Sequence, residues 1–180
     1  MTSKMFAAGF AVFAGLSGFA SAQVPDQVNA RAGKPWVLVV FPFKNNTADS
    51  APDPLSFVFM DDITALLTET PVTYLKVVER KELEKILEEQ KLALTGLTDQ
   101  TTAAQVGRLL GANAFVLGGF QEVEKKLLVA ARVVDVETGE ILFALRVEGK
   151  RQKTIKMSKS MVKNLLEKFK KLQSNTEDKP

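Results

Sequence analysis

Apolar residues fall along this chain in runs of three kinds, and the period of each run predicts an element. Trp36 to Phe41 (WVLVVF) and Ala114 to Leu117 (AFVL) are continuous, without polar alternation. Such strands are covered on both faces, so they are expected at the centre of a sheet, in parallel company. Phe41-Pro42-Phe43 ends the first, because Pro42 has no amide to give to a ladder. Behind Asp53-Pro54, an N-cap and a first-turn proline, Leu55, Val58, Phe59, Ile63 and Leu66 recur at helical spacing and predict a helix to about Thr68.

Pro71 restarts the chain, and the β-branched stretch from Val72 to Val78 reads as a second strand. From Glu79 the period becomes helical, with Leu83, Ile86, Leu87, Gln90 and Leu94 on one side. Leu94-Thr95-Gly96-Leu97 is expected to end that helix in a left-handed glycine. Thr98 or Asp99 can cap the next helix, which buries Ala103, Val106, Gly107 and Leu110 and stops at Gly111. A strand through Phe120 follows, expected to run parallel to the strand before the helices. Gln121 to Lys126 then reads as a polar link and Leu127 to Val136 as a long strand. Glu137-Thr138-Gly139-Glu140 reads as a hairpin turn and Ile141 to Glu148 as a half-exposed strand. Gly118-Gly119 opens no helix, so it is no nucleotide fingerprint; a bend or bulge is its expected use. The order β-α-β-α-α-β-β-β-α predicts one α/β domain, its sheet mixed and centrally parallel, of about five strands with helices packed on it.

The two ends carry different patterns. Lys4, the apolar stretch Met5 to Phe19 and Ala20-Ser21-Ala22 predict a signal peptide over residues 1–22, cleaved between Ala22 and Gln23. The apolar part is short for a membrane span, which takes about 20 residues. Residues 23–34 read as an extended leader, 35–173 as the folded domain and 174–180 as a disordered tail. Between Lys150 and Lys171 nine Lys/Arg accompany one acid, Glu167. Met161, Leu165, Phe169 and Leu172 form an apolar stripe on a helix predicted over residues 158–173. Either that stripe packs on the sheet and the lysines stand in water, or Lys159, Lys163, Lys170 and Lys171 meet an acidic partner or anionic lipid.

Composition narrows the chemistry. The 180 residues include no cysteine and no histidine, which removes disulfides, thiolate metal sites and the commonest general base. The 24 Lys/Arg exceed the 21 Asp/Glu by three, and the excess gathers at the tail, without the interleaved aromatics of nucleic-acid binders. No nucleophile–base–orienter set or phosphate loop can be written down, so neither enzymatic activity nor a cofactor or metal is expected. Asp61 and Asp62 are adjacent acids, yet helix neighbours point about 100° apart and do not converge unaided. Lys44, Asn45, Asn46 and Thr47 follow the C-terminal end of a central strand, where open α/β sheets place ligands. A solvated turn rich in side-chain-to-backbone bonds is the other reading of that stretch.

The run V-V-E-R-x-x-L-x-x-I-L-x-E-Q from Val77, continued by T-A-A-x-x-G-x-L-L-G-A to Ala112, resembles the hallmark of the curli production assembly/transport family. Val37 to Thr47 (VLVVFPFKNNT) is similar to that family's opening strand and loop, and Arg132 to Leu142 (RVVDVETGEIL) to its later hairpin. The resemblance implies a non-enzymatic periplasmic protein-interaction module of envelope assembly or secretion. Its partners would be envelope proteins or further copies of the chain, with peripheral contact to the outer membrane and no transmembrane segment after cleavage. A lipoprotein activator of penicillin-binding proteins resembles the same core, which leaves a regulator of peptidoglycan synthesis open; Lys44 to Thr47 leave a small-ligand sensor open. Two departures stand out. The position of the family's lipidated cysteine is Gln23, and six residues between Phe120 and Leu127 leave no room for a membrane hairpin, whose strands need about 9–11 residues each.

Overall fold

The computed structural model describes residues 34–47, 53–93, 97 and 99–177. The continuous apolar runs become its central strands, β1 (Trp36–Val40) and β4 (Ala114–Val123). Between them lie a two-residue strand β2 (Lys44–Asn45), helix α1 (Leu55–Glu69), β3 (Leu75–Val77), α2 (Arg80–Glu89) and α3 (Gln100–Leu109). Strands β5 (Lys126–Asp135) and β6 (Ile141–Gly149) and helix α4 (Thr154–Glu177) complete the order. The sheet runs β3-β1-β4-β5-β6, with β2 beside the far end of β4. It is parallel through β3, β1 and β4 and antiparallel through β4, β5 and β6, the mixed α/β class expected. Strand β4 runs parallel to β3 as expected, but β1 lies between them. Asn113 sets the β1–β4 register: its Oδ1 accepts from the Val37 amide at 2.8 Å, and its own amide donates to the Val37 carbonyl at 2.9 Å.

Several boundaries differ from the sequence reading, each for a local reason. The second strand shortens to Leu75–Val77, because Thr73-Tyr74 turn and leave Val72 only an isolated bridge to Leu75. Helix α2 stops at Glu89, well before Gly96, and Gln90 is exposed. Lys91 takes the left-handed conformation there (φ 53°), while Leu92 and Lys91 amides close on the Leu87 and Glu88 carbonyls at 2.8 and 3.1 Å. That is a Schellman end built without glycine. Gly96 and Thr98 lie outside the described residues. Gln121 to Lys126 is no link: β4 and β5 run on to a turn of two residues, Glu124 and Lys125, with φ of 48° and 65°. Helix α4 begins at Thr154 and reaches Glu177, so residues 174–177 of the expected tail are helical.

Other expectations stand as read. Asp99 caps α3, its Oδ1 accepting from the Thr102 amide at 2.9 Å. Asp53 accepts from the Leu55 amide at 2.9 Å and from Arg151 at 2.6 Å. Burial alone would raise the Asp53 pKa, but the Arg151 hydrogen bond, the Leu55 amide and the Arg151 charge together hold it below its ordinary value. Gly111 is left-handed (φ 64°) and closes α3 with a Schellman pair, Ala112 to Gly107 at 2.9 Å and Gly111 to Arg108 at 3.0 Å. A Cβ at Gly111 would meet nothing within 4 Å, so a substitution there suffers from conformation alone. Gly111→Val is expected to cost about 1–2 kcal/mol, read as a lower chemical-denaturation midpoint at unchanged slope. An unshifted midpoint would mean the helix end tolerates another geometry.

The two faces of the sheet are covered unequally. On one, Phe169 of α4 packs between Trp36 and Phe143 with ring centroids 5.5 and 5.2 Å away. On that same face Phe59 of α1 meets Phe43 and Phe120 at 5.5 and 6.0 Å. Met161 and Leu165 are fully buried with Phe169, and Leu172 packs at the margin, so the apolar stripe serves the core. On the other face α3 closes over Phe115 and Val136 through Gly107, where a Cβ would stand 3.0 Å from Val136 Cγ2. That cover does not extend along the strands, and Ala130, Arg132, Ala144 and Arg146 remain exposed.

Candidate functional site

The uncovered half-face is a trough of about 650 Å³ on the outer side of β4, β5 and β6, with β2 along its rim. Register explains its lining. Leu117, Arg132 and Ala144 stand opposite one another across β4, β5 and β6; Gly119, Ala130 and Arg146 form the next such row. Lys44 of β2 pairs with Gly119 and extends that second row by one strand. Opposite residues share a face, so Leu117 and small residues alternate with cations over the three strands. Leu117, Gly119, Ala130 and Ala144 make the floor, while Lys44, Asn46, Arg132 and Arg146 make the rim.

The rim is electrostatically one-sided. Among the described residues neither Lys44, Arg132 nor Arg146 has an ion pair. Glu148, two residues on from Arg146, stands 3.7 Å from Lys126 instead. Arg132 and Arg146 are diagonal neighbours on β5 and β6, a spacing of about 7–8 Å between backbones. Such a pair, with a lysine beyond, attracts anions and offers planar donors matched to carboxylate or phosphate.

The expected strand-end site is divided by the structure. Lys44 and Asn46 line the trough; Asn45 and Thr47 do structural work. Asn45 Oδ1 accepts from the Thr47 amide at 2.9 Å, and Thr47 Oγ1 accepts from the Glu122 amide at 3.1 Å. Lys44 and Asn45, read as the start of a loop, form the short strand β2. Gly118 and Gly119 are neither bend nor bulge; the register shift falls between Val133 and Val134 on β5. Each glycine admits a neighbour: a Cβ at Gly118 would overlap the Phe43 ring, and one at Gly119 would come within 2.5 Å of Asn46 Nδ2.

Lys159, Lys163, Lys170 and Lys171 are all exposed on α4, on the side of the sheet opposite the trough. Asp61 and Asp62 diverge as their helical spacing requires. Asp61 pairs with Arg80 at 2.7 Å, and Asp62 accepts from Ser158 Oγ at 3.2 Å. Ala22 and Gln23 lie outside the described residues, as do residues 1–33 altogether. Arg132 and Arg146 were not singled out from sequence. Their signal was present as Ala130-Ala131-Arg132 and Ala144-Leu145-Arg146, small-x-Arg on both arms of one hairpin.

The family model for the curli production assembly/transport component CsgG matches residues 20–128, more than half of the chain. No curated protein sequence matches it. Among solved structures, the C-terminal domain of LpoB from Escherichia coli is similar with a TM-score of 0.54 at 17% identity, covering 69% of this chain and 93% of that one. Lipoprotein GNA1162 from Neisseria meningitidis is similar with a TM-score of 0.53 at 17% identity, covering 74% and 97%. At such identities the likeness is one of fold. No described helix is long and apolar enough to cross a membrane.

Proposed function

This chain belongs to the family of the curli production assembly/transport component, and from that premise we propose that it is a non-enzymatic protein-interaction module of the periplasm, acting in envelope assembly or secretion. The observation that carries the reading is the sheet face left bare: a trough of about 650 Å³ rimmed by cations and floored by glycine, alanine and Leu117. A face of that kind offers contact area and charge. The turn of two residues between β4 and β5 supports a core without the membrane hairpin that a channel would insert there. A regulator of peptidoglycan synthesis is the same reading with a different partner. A small-ligand sensor competes for the same trough, because Lys44 and Asn46 do line it.

The test uses the exported chain from envelope fractions, whose intact mass should begin at Gln23. Immobilised, it should retain an envelope protein saturably from a native envelope extract. Triple reversal of Lys159, Lys163 and Lys170 to Glu assigns the surface: exposed charges of this kind contribute at most about 1 kcal/mol to folding, so only capture is at stake. Weaker capture by the reversed chain would put the partner on α4; unchanged capture would leave α4 a structural lid. Failure to retain any envelope protein, together with a melting shift on adding a small anion, would replace the module by the sensor.

A further inference from the structure

The trough has two properties that together select one kind of occupant, and the inference rests on the interaction-module reading. Among the described residues its cations have no ion pair, which calls for negative charge. Its floor is nearly flat, since Gly119, Ala130 and Ala144 offer at most a methyl group and Leu117 is the one larger apolar side chain among them. A docked helix would find no side-chain ridges to interlock with. An extended chain with small side chains can instead lie close on the pleated floor while its carboxylates reach the rim.

We propose that the trough docks an extended acidic segment of a partner protein, lying across β4, β5 and β6 between Lys44 and Arg146. The spacing carries this. Lys44, Gly119, Ala130 and Arg146 occupy one row of the sheet over three strand intervals, or about 14 Å at about 4.8 Å per interval. Four residues of extended chain span about 13–14 Å. Residues four apart on an extended chain also point to the same side, so two carboxylates at that spacing reach Lys44 and Arg146 together. Arg132, diagonal to Arg146 in the adjoining row, adds a second guanidinium at the same end. Asn46 stands over Gly119, with its amide placed to bond the segment's backbone. A small anion held by the two guanidiniums at one end would leave Lys44 at the other unmet and make no use of this separation.

The probe is a fluorescein-labelled peptide of about 12 residues, the length that overspans the trough at both ends, with glutamate at every fourth position and alanine or glycine between. Its control carries glutamine at the same positions. Fluorescence anisotropy should show saturable binding of the glutamate peptide alone. Arg132→Gln and Arg146→Gln should each weaken it about tenfold, the loss of one charge-assisted hydrogen bond. Both side chains are exposed, so the variants should melt with the parent. Lys159→Glu and Lys163→Glu, on the opposite face, should leave binding unchanged. Absence of glutamate-peptide binding, or binding indifferent to both arginines, overturns the proposal. So does competition by free glutarate as effective as by unlabelled peptide, which would make the trough a small-anion site. If the peptide fails while envelope capture persists, the trough assignment falls and the module reading stands.

Discussion

Phe169→Ala should remove about 3–5 kcal/mol of stability, the usual cost of emptying a phenylalanine's place in a packed core. Phe169 is fully buried on α4 and packs tilted against Trp36 at 5.5 Å and edge-to-face against Phe143 at 5.2 Å. These two partners sit on strands at opposite sides of β4, so one ring ties β1 to β6 as well as α4 to the sheet. Domains of this size have only about 5–15 kcal/mol in hand, and the variant should unfold at a much lower urea concentration. Equilibrium urea denaturation followed by Trp36 fluorescence measures it, since the lone tryptophan is the ring's own neighbour. A loss under about 1 kcal/mol, the scale of a surface change, would mean that α4 is dispensable to the core.

Gly118→Ala should cost about 1–3 kcal/mol by overpacking, and Gly118→Val more. The added Cβ would overlap the Phe43 ring. That ring cannot retreat freely, because Phe59 lies 5.5 Å behind it and Phe120 lies 6.0 Å from Phe59. The backbone cannot retreat either, since β4 is hydrogen-bonded on both sides. Thermal unfolding should drop by about 2–4 °C for each kcal/mol lost. Pairing Gly118→Ala with Phe43→Leu should recover part of the loss; a double-mutant cycle without coupling would refute the contact as the cause. Gly119→Ala is the contrast, since its Cβ faces the trough and meets the Asn46 side chain.

What the sequence revealed, and what it hid, divides along the range of the forces involved. Short-range signals read true: the Asp99 cap, the left-handed Gly111 and Gly139, and the continuous apolar β1 and β4. Each depends on a residue's own conformational preferences or on burial over a few positions. Lys91, Glu124 and Lys125 were missed because they take left-handed backbone without the glycine that advertises it. Surrounding structure evidently outweighs their conformational cost of about 1–2 kcal/mol each. The Gly118-Gly119 pair was misread because its reason, the Phe43 ring and the Asn46 amide, lies about 75 residues away in sequence and only register brings it near. The trough hid for the same reason. Half of it, Lys44 and Asn46, lay at a legible strand end, whereas Arg132 and Arg146 join only when β2, β4, β5 and β6 are laid side by side.

The division of the sheet at β4 also bears on the order in which the chain assembles. The β4–β5 turn closes over two residues, whereas β1 finds β4 across a separation of 76 at the Val37–Asn113 bond. Loop closure costs about 0.6 kcal/mol for each doubling of length, so the distant pairing carries a penalty about 3 kcal/mol greater. The meander from Ala114 to Gly149 can therefore form early as a local unit, and its bare face is complete apart from Lys44 and Asn46 before β1 arrives. Docking of β1 and β2 then closes the free hydrogen-bonding edge of β4 and sets Lys44 on the rim.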